Sequence, residues 1–543
     1  MRFLAFSLLI FFLSSCIKGK KVDLVIHNAR IHVMDDNNTV LEAMAVHDGK
    51  IVEVGPERQI LNKYRAEEEI DAKGKDVYPG LTDAHGHLFA YAKQKLTLDL
   101  TNCKSFNELL VRCEKYASRT GKKFIVGRGW DQSLWAIKEM PTYEELNKRF
   151  PDVDILLYRI DGHAALVNKH LLERAKISAQ TKIEGGLVGL TNGETNGILL
   201  DNAIQLVEKF IPEVSKTELK NSLLEIQAEL FQYGITGVHE AGINLDELLM
   251  LRNLVEKNKL KLNVYAMLLP SNQTFEFVRK NGHFKLKNLS VRSFKVYADG
   301  ALGSRGALLK QPYHDAEHEH GLLLTSIKKM QEVADFCLQH NYQMNTHGIG
   351  DSANALILDI YKKAFEVNRD HRFRVEHAQV VDPVDFQLFS KYAVFPSVQP
   401  THAVSDQRWA ENRLGKDRLK GAYAYKSLLN QYGMLAIGTD FPVELTNPFL
   451  TIHAAVQRKN STNQPINGFL PNESLTLEEV MKGMTIWAAF AAFQERTEGT
   501  LEKGKNATFV IFERPLTSTN NFNDNYSWRT YVKGLKVYSI DDL

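Results

Sequence analysis

The sequence predicts an α/β protein centred on a (β/α)8 barrel of the TIM type. Two observations carry that prediction. Through the middle of the 543 residues, short apolar runs alternate with helix-like stretches. There are eight such runs, 76–87, 234–240, 260–269, 290–299, 342–347, 373–377, 392–402 and 433–440, and all but 260–269 end in polar or charged residues. A barrel gathers the C-terminal ends of its strands over one site, so polar groups at strand ends are where chemistry is expected. The second observation is that β-rich segments stand at both ends of the chain, which predicts a small β-sandwich built from the two termini.

Taken in order, the chain opens with an apolar run, residues 3–13, behind Arg2. It is too short to span a bilayer and has the layout of an export signal. Leu13-Ser14-Ser15-Cys16 follows and resembles the lipobox of bacterial lipoproteins, in which the signal is cut before the cysteine and the thiol is acylated. The expectation is a signal peptide over 1–15, a lipidated Cys16 and a basic tether to residue 21. The protein would then be exported and lipid-anchored to a bacterial membrane, facing the periplasm or the cell exterior. An ordinary cleaved signal with a chance cysteine is the alternative. No later run of about 18 apolar residues occurs.

The formal charge is +2, and Arg2, Lys18, Lys20 and Lys21 stand in residues 1–21 without an acid, leaving −2 for the remainder. That balance gives no basic footprint for nucleic acid. Besides Cys16 there are Cys103, Cys113 and Cys337 and no Cys-x-x-Cys, which reads as buried or free thiols.

Residues 22–80 hold short β-branched runs. Asp48-Gly49 between residues 43–47 and 50–54 signals a tight hairpin. Residues 507–512 and 528–538 match them in character. The sandwich is therefore expected over 22–78 plus 500–543, and the barrel over 79–499. The gap between the first two runs exceeds one crossover and implies an inserted α+β subdomain at about 104–225. Thr476-Leu-Glu-Glu479 is a capping box that starts a helix after the last strand.

The strand ends carry the chemistry. His85 and His87 are two apart, so on an extended strand they share a face and can hold one metal ion. Two solvent-facing histidines at a turn are the rival reading. Lys295, His347, His377 and Asp440 lie in or at the ends of later runs.

Together these motifs resemble the amidohydrolase superfamily of metal-dependent hydrolases. Pro79-Gly-Leu-Thr-Asp-Ala-His-Gly-His87 is similar to its first-strand motif. Phe294-Lys-Val-Tyr-Ala-Asp-Gly300, His347-Gly-Ile-Gly-Asp351, Arg374-Val-Glu-His-Ala-Gln379 and Gly438-Thr-Asp-Phe-Pro-Val443 resemble the YtcJ-like branch, which includes N-substituted formamide deformylase. The resemblance implies one or two divalent transition metals per chain, zinc foremost. His85 and His87 with Asp440 would hold one ion, and His347 and His377 a second. A CO2-derived carbamate on Lys295 would bridge them. Burial near positive charge would free the Lys295 amine for that reaction. An unmodified Lys295 pairing with Asp299 or Asp351 beside a single metal is the alternative. Asp440 would act first as general base and then as general acid, or else only as a ligand.

Weaker candidates for substrate binding are Trp130 and Asp131 in the insertion, His163, Arg305, and His402 at the end of the seventh run. His239-Glu240 reads as support for a ligand. The expected activity is hydrolysis of a C–N bond in a small, linear N-acyl or N-formyl amide. A cyclic amide or a deamination is the second reading, and an inactive binding or scaffold protein on the same fold the third. A homodimer is left open. One departure from the family pattern is Thr508, where an aspartate is usual.

Overall fold

The computed structural model describes residues 19–517 and 522–542. Cys16 and the apolar leader lie outside them. Eight parallel strands form the centre, numbered in chain order: β1 (Leu81–Gly86), β2 (Ile235–Ile243), β3 (Asn263–Leu268), β4 (Leu289–Tyr297), β5 (Gln343–Gly348), β6 (Arg374–His377), β7 (Phe395–Val398) and β8 (Ala436–Ile437). Each pairs in parallel with the next. Between β8 and β1 the ring is joined by a few bonds beyond the strand proper. The Asp440 amide donates to the His85 carbonyl at 2.7 Å, and the His87 amide to the Phe441 carbonyl at 2.9 Å. Asp83 pins the same junction: its carboxylate accepts from the Thr439 hydroxyl at 2.6 Å and the Thr439 amide at 3.1 Å. The predicted barrel is thus present and nearly closed.

β5 and β6 are buried at every residue, which is why they read as continuous runs: helices cover the outside and side chains fill the inside. The connecting helices start at side-chain caps, such as Asn244 before Leu245–Glu256 and Ser326 before Ile327–His340. The predicted capping box forms. The Glu479 amide donates to the Thr476 hydroxyl at 3.2 Å and the Thr476 amide to the Glu479 carboxylate at 2.9 Å, opening Leu477–Gly483.

Two smaller sheets join the chain ends. One has four strands, including Lys20–His27 and the hairpin Ala43–His47/Lys50–Gly55. Asp48 and Gly49 both take positive φ, as a type I′ turn requires. The other places Asp76–Pro79 beside Phe509–Phe512. Leu24, Ile26 and Val46 from the first pack against Val77, Phe509 and Ile511 from the second. The run 76–87 therefore divides between two sheets. The division falls at Gly80, where an added Cβ would lie 2.2 Å from Thr236 Oγ1 on β2. Only glycine lets the sandwich and the barrel approach so closely.

The insertion carries a six-stranded sheet containing Leu98–Asp99, Phe124–Trp130, Asp154–Arg159, Ala164–Val167, Gly186–Thr191 and Glu194–Asp201. It starts earlier than the run spacing suggests. At its other end, the helix Lys216–Gln232 belongs to the barrel: Leu219, Leu223, Ile226 and Leu230 form one apolar stripe against it. Cys103, Cys113 and Cys337 are free and buried. Among the described residues no helix is long and apolar enough to cross a membrane.

Candidate active site

The C-terminal ends of the barrel strands and the inner edge of the insertion enclose a cavity of about 1110 Å3. His87, Lys295, His347, His377, His402 and Asp440 line it, and His85 lies buried beneath them.

His85, His377 and Asp440 place their ligand atoms within 4.8 Å of one another. His87 joins through the same carboxylate, with Nε2 3.0 Å from Asp440 Oδ1. Lys295 Nζ is 3.2 Å from His85 Nε2. His347 stacks edge-on to His377, ring centres 4.6 Å apart. All six expected ligands lie around one cavity, but the tightest trio takes His85 and Asp440 from one expected metal site and His377 from the other.

The protonation states suit a metal. Burial, then the charge of Lys295, pushes His85 down to about 4. Burial likewise holds His347 and His377 well below the usual imidazole range. Burial lowers Lys295 to about 8, and among the described residues no carboxylate is in ion-pair contact with it. Asp299, one expected partner, instead accepts the amides of Ile349, Gly350 and Leu308. Burial would raise Asp440, but His402 and His87 hold it well below the usual carboxylate range. Burial alone would lower His402. Its bonds to Asp440 and Glu444, at 3.1 and 3.2 Å, raise it well above the ordinary value. Asp440 Oδ1 lies 3.0 Å from His87 Nε2 and 3.5 Å from His85 Nε2, and His377 Nδ1 is buried without a hydrogen-bond partner. Neutral imidazoles, an ionised carboxylate and an orphaned buried ring nitrogen are the set that a divalent transition metal satisfies.

A second layer orients these ligands. Glu376 Oε2 sits 2.5 Å from His85 Nδ1, which leaves Nε2 facing the trio. Arg374 is fully buried and binds Glu376, the Ala84 carbonyl and the Ser397 hydroxyl, tying β1, β6 and β7 together. His239 lies 3.0 Å from Arg374. Glu240 accepts the amides of Leu88 and Phe89, fixing the helix that begins at His87. The sequence reading missed Arg374 and Glu376, although their i, i+2 spacing on β6 puts both on one face.

With this geometry in hand, the comparisons are specific. Residues 68–538 match the amidohydrolase family. The chain belongs to that family. It is therefore a hydrolase acting on carbon–nitrogen bonds. YtcJ of Bacillus subtilis (strain 168) is 30% identical over 493 residues, covering 89% of this chain and 93% of YtcJ. N-substituted formamide deformylase of Arthrobacter pascens is 23% identical over 95% of this chain and 98% of its own. A metal-dependent hydrolase of Pyrococcus horikoshii OT3 superposes with a TM-score of 0.75 at 26% identity, covering 92% of this chain and 99% of that one.

The remaining candidates of this amidohydrolase divide. His163 faces the cavity, its Nδ1 2.6 Å from Asp201, and its ring is 5.2 Å from that of His347. His402 also faces it, but from the helix Pro400–Asp406; β7 has already ended at Val398. Asp131 reaches the cavity wall, where it pairs with Arg159 and Arg408 at 3.0 Å each. Trp130 is corrected: it is fully buried in the core of the insertion, donating to the Leu157 carbonyl at 2.7 Å, away from the cavity. Arg305 is corrected as well. Both ends of its guanidinium bind Asp315 at 3.1 Å, outside the cavity lining.

Proposed function

We propose that this amidohydrolase cleaves a small, linear N-acyl or N-formyl amide. The observation that carries the reading is the buried His85–His377–Asp440 trio at the mouth of the barrel, with the Lys295 amine 3.2 Å from His85 Nε2. A divalent transition metal, Zn2+ foremost, would be held by His85, His87, His347, His377 and Asp440, and would polarise a carbonyl and acidify a water.

The chain's own residues do the rest. Asp440, kept ionised by His402, takes a proton from the attacking water and returns it to the leaving nitrogen. His402 and His87 hold the carboxylate from two sides, so its orientation survives each transfer. Burial would lower His163, but its bond to Asp201 raises it, and the protonated ring presents Nε2–H to the cavity as a donor for the substrate carbonyl. Nζ of Lys295 adds to CO2 and loses a proton, giving a carbamate anion that would bridge two ions. Acylation of Cys16 would tether the enzyme to a bacterial membrane, facing the periplasm or the cell exterior, in keeping with the leader sequence.

The test is a screen of N-formyl and N-acyl compounds against metal-loaded protein, with Asp440→Asn as control. Turnover that disappears in the control supports the reading. Protein that holds no transition metal and turns over none of these amides would sink it.

A further inference from the structure

The strand Phe124–Trp130 carries a bulge: its register against Asp154–Arg159 shifts between Arg128 and Trp130, with Gly129 at φ +113°. The bulge reverses the alternation of the strand. Phe124 and Val126 pack on one side of the inserted sheet, Ile125 on the other. Trp130 should share the face of Phe124, yet it lies with Ile125 in the opposite core. The extra residue sends Trp130 inward and leaves Arg128 on the cavity wall.

Arg128 has little to do there as the chain stands. Nη2 donates to the Ile160 carbonyl at 3.3 Å, and Nε is buried without a partner. Its acidic neighbours are engaged elsewhere. Asp131 holds Arg159 and Arg408, Asp161 holds Arg159, and Glu208 accepts the Tyr158 hydroxyl. Among the described residues no carboxylate is in ion-pair contact with Arg128. Space has nonetheless been kept for its guanidinium: a Cβ on Gly162 would lie 2.9 Å from Nη2. Gly162 precedes His163, so the guanidinium stands next to the residue that addresses the substrate carbonyl. Its charge is also felt at His87 and Tyr297 in the same cavity.

We infer that Arg128 binds a carboxylate on the substrate, so that the amide cleaved is an anionic one, of the class of N-formyl or N-acyl amino acids. A guanidinium stays charged when desolvated, and a planar fork with free N–H groups fits a carboxylate in two-point contact. A half-buried cation in the cavity wall without a counter-ion is unfavourable, and the substrate supplies the missing anion.

The inference rests on the proposed amide hydrolysis, and the experiment separates the two. Metal-loaded enzyme is assayed on N-formylglycine, N-formyl-β-alanine and N-formyl-γ-aminobutyrate, and on the primary carboxamide of each. At least one carboxylate should outperform its carboxamide by roughly 10- to 100-fold in kcat/KM, the worth of a hydrogen-bonded charge. Arg128→Gln should erase that preference, chiefly through KM, and Arg128→Lys should retain part of it. Calorimetric titration of the same six compounds into the Asp440→Asn protein reads binding without turnover. Equal binding of acids and carboxamides, unchanged in Arg128→Gln, overturns the role of Arg128 while amide hydrolysis stands. Preferential binding of the acids without turnover by the wild type leaves Arg128 supported and overturns the reaction. Melting curves establish that both Arg128 variants are folded, and if Arg128→Gln is not, Arg128→Lys decides by the same readouts.

Discussion

Glu376 grips His85 at 2.5 Å on one side and Arg374 on the other, where Nε stands 2.7 Å from Oε1. One carboxylate thus sets the tautomer of His85 and neutralises the buried guanidinium of Arg374. Glu376→Gln keeps the shape and removes the charge. Metal affinity should fall by about 10- to 100-fold. Leaving Arg374 uncompensated should destabilise the fold by about 3–5 kcal/mol. Chelator competition and urea unfolding check the two effects separately, and a variant with wild-type values in both would refute the relay.

Asp440→Asn should lower kcat by roughly 100- to 10,000-fold, the usual worth of positioned proton transfer. Should the rate fall less than tenfold with metal retained, Asp440 is a ligand and not the base.

If Lys295 carries the proposed bridging carbamate, Lys295→Ala should lose metal and activity together. Short carboxylic acids should restore part of both by entering the vacated space. Full activity without any additive would rule out a bridging carbamate.

Asp131 holds Arg159 within the insertion and ties the insertion to the barrel through Arg408. Burial would raise its pKa, but the two guanidiniums hold it below the usual carboxylate range. A depressed folded pKa contributes stability that is present above the unfolded value, about 3.9, and is lost as pH falls through the folded one. Asp131→Asn should therefore cost about 1–3 kcal/mol at neutral pH and less at pH 3. Melting temperatures from pH 3 to 7 measure this, and an equal loss across the range would contradict it.

Cys16→Ala should move the protein from the membrane fraction to the soluble one. Retention in the membrane fraction would refute the lipid anchor.

The barrel was legible in the sequence because most of its strands are apolar runs that stop at or just before a polar residue. Parallel strands converge at one end, which brings His85, His87, Lys295, His347, His377 and Asp440 to one cavity; their reading as a ligand set rests on the family resemblance. What could not be read depends on contacts between distant segments. Trp130 was misplaced because the bulge at Gly129 inverts the faces of its strand, and a bulge leaves only a glycine in the sequence. Arg305 is claimed by Asp315, and the sequence gives no sign of which acid lies within reach. His402 was set on a strand although Pro400, a residue suited to the first helical position, marks a helix start. Arg374 and Glu376 went unnoticed because a charged pair inside a barrel is legible only when the strands facing it are known.

The staple of Asp83 to Thr439 sits where the last strand returns to the first. His85 and Asp440, two members of the ligand trio, flank that same junction and share a backbone bond across it. An ion held by both would act as the clasp of the ring, so loading and stripping it should be felt first as a change in how readily the seam breathes. Amide exchange at Asp440 and His87 should quicken in chelated protein, while the amides between β3 and β4, on the far side of the ring, keep their protection.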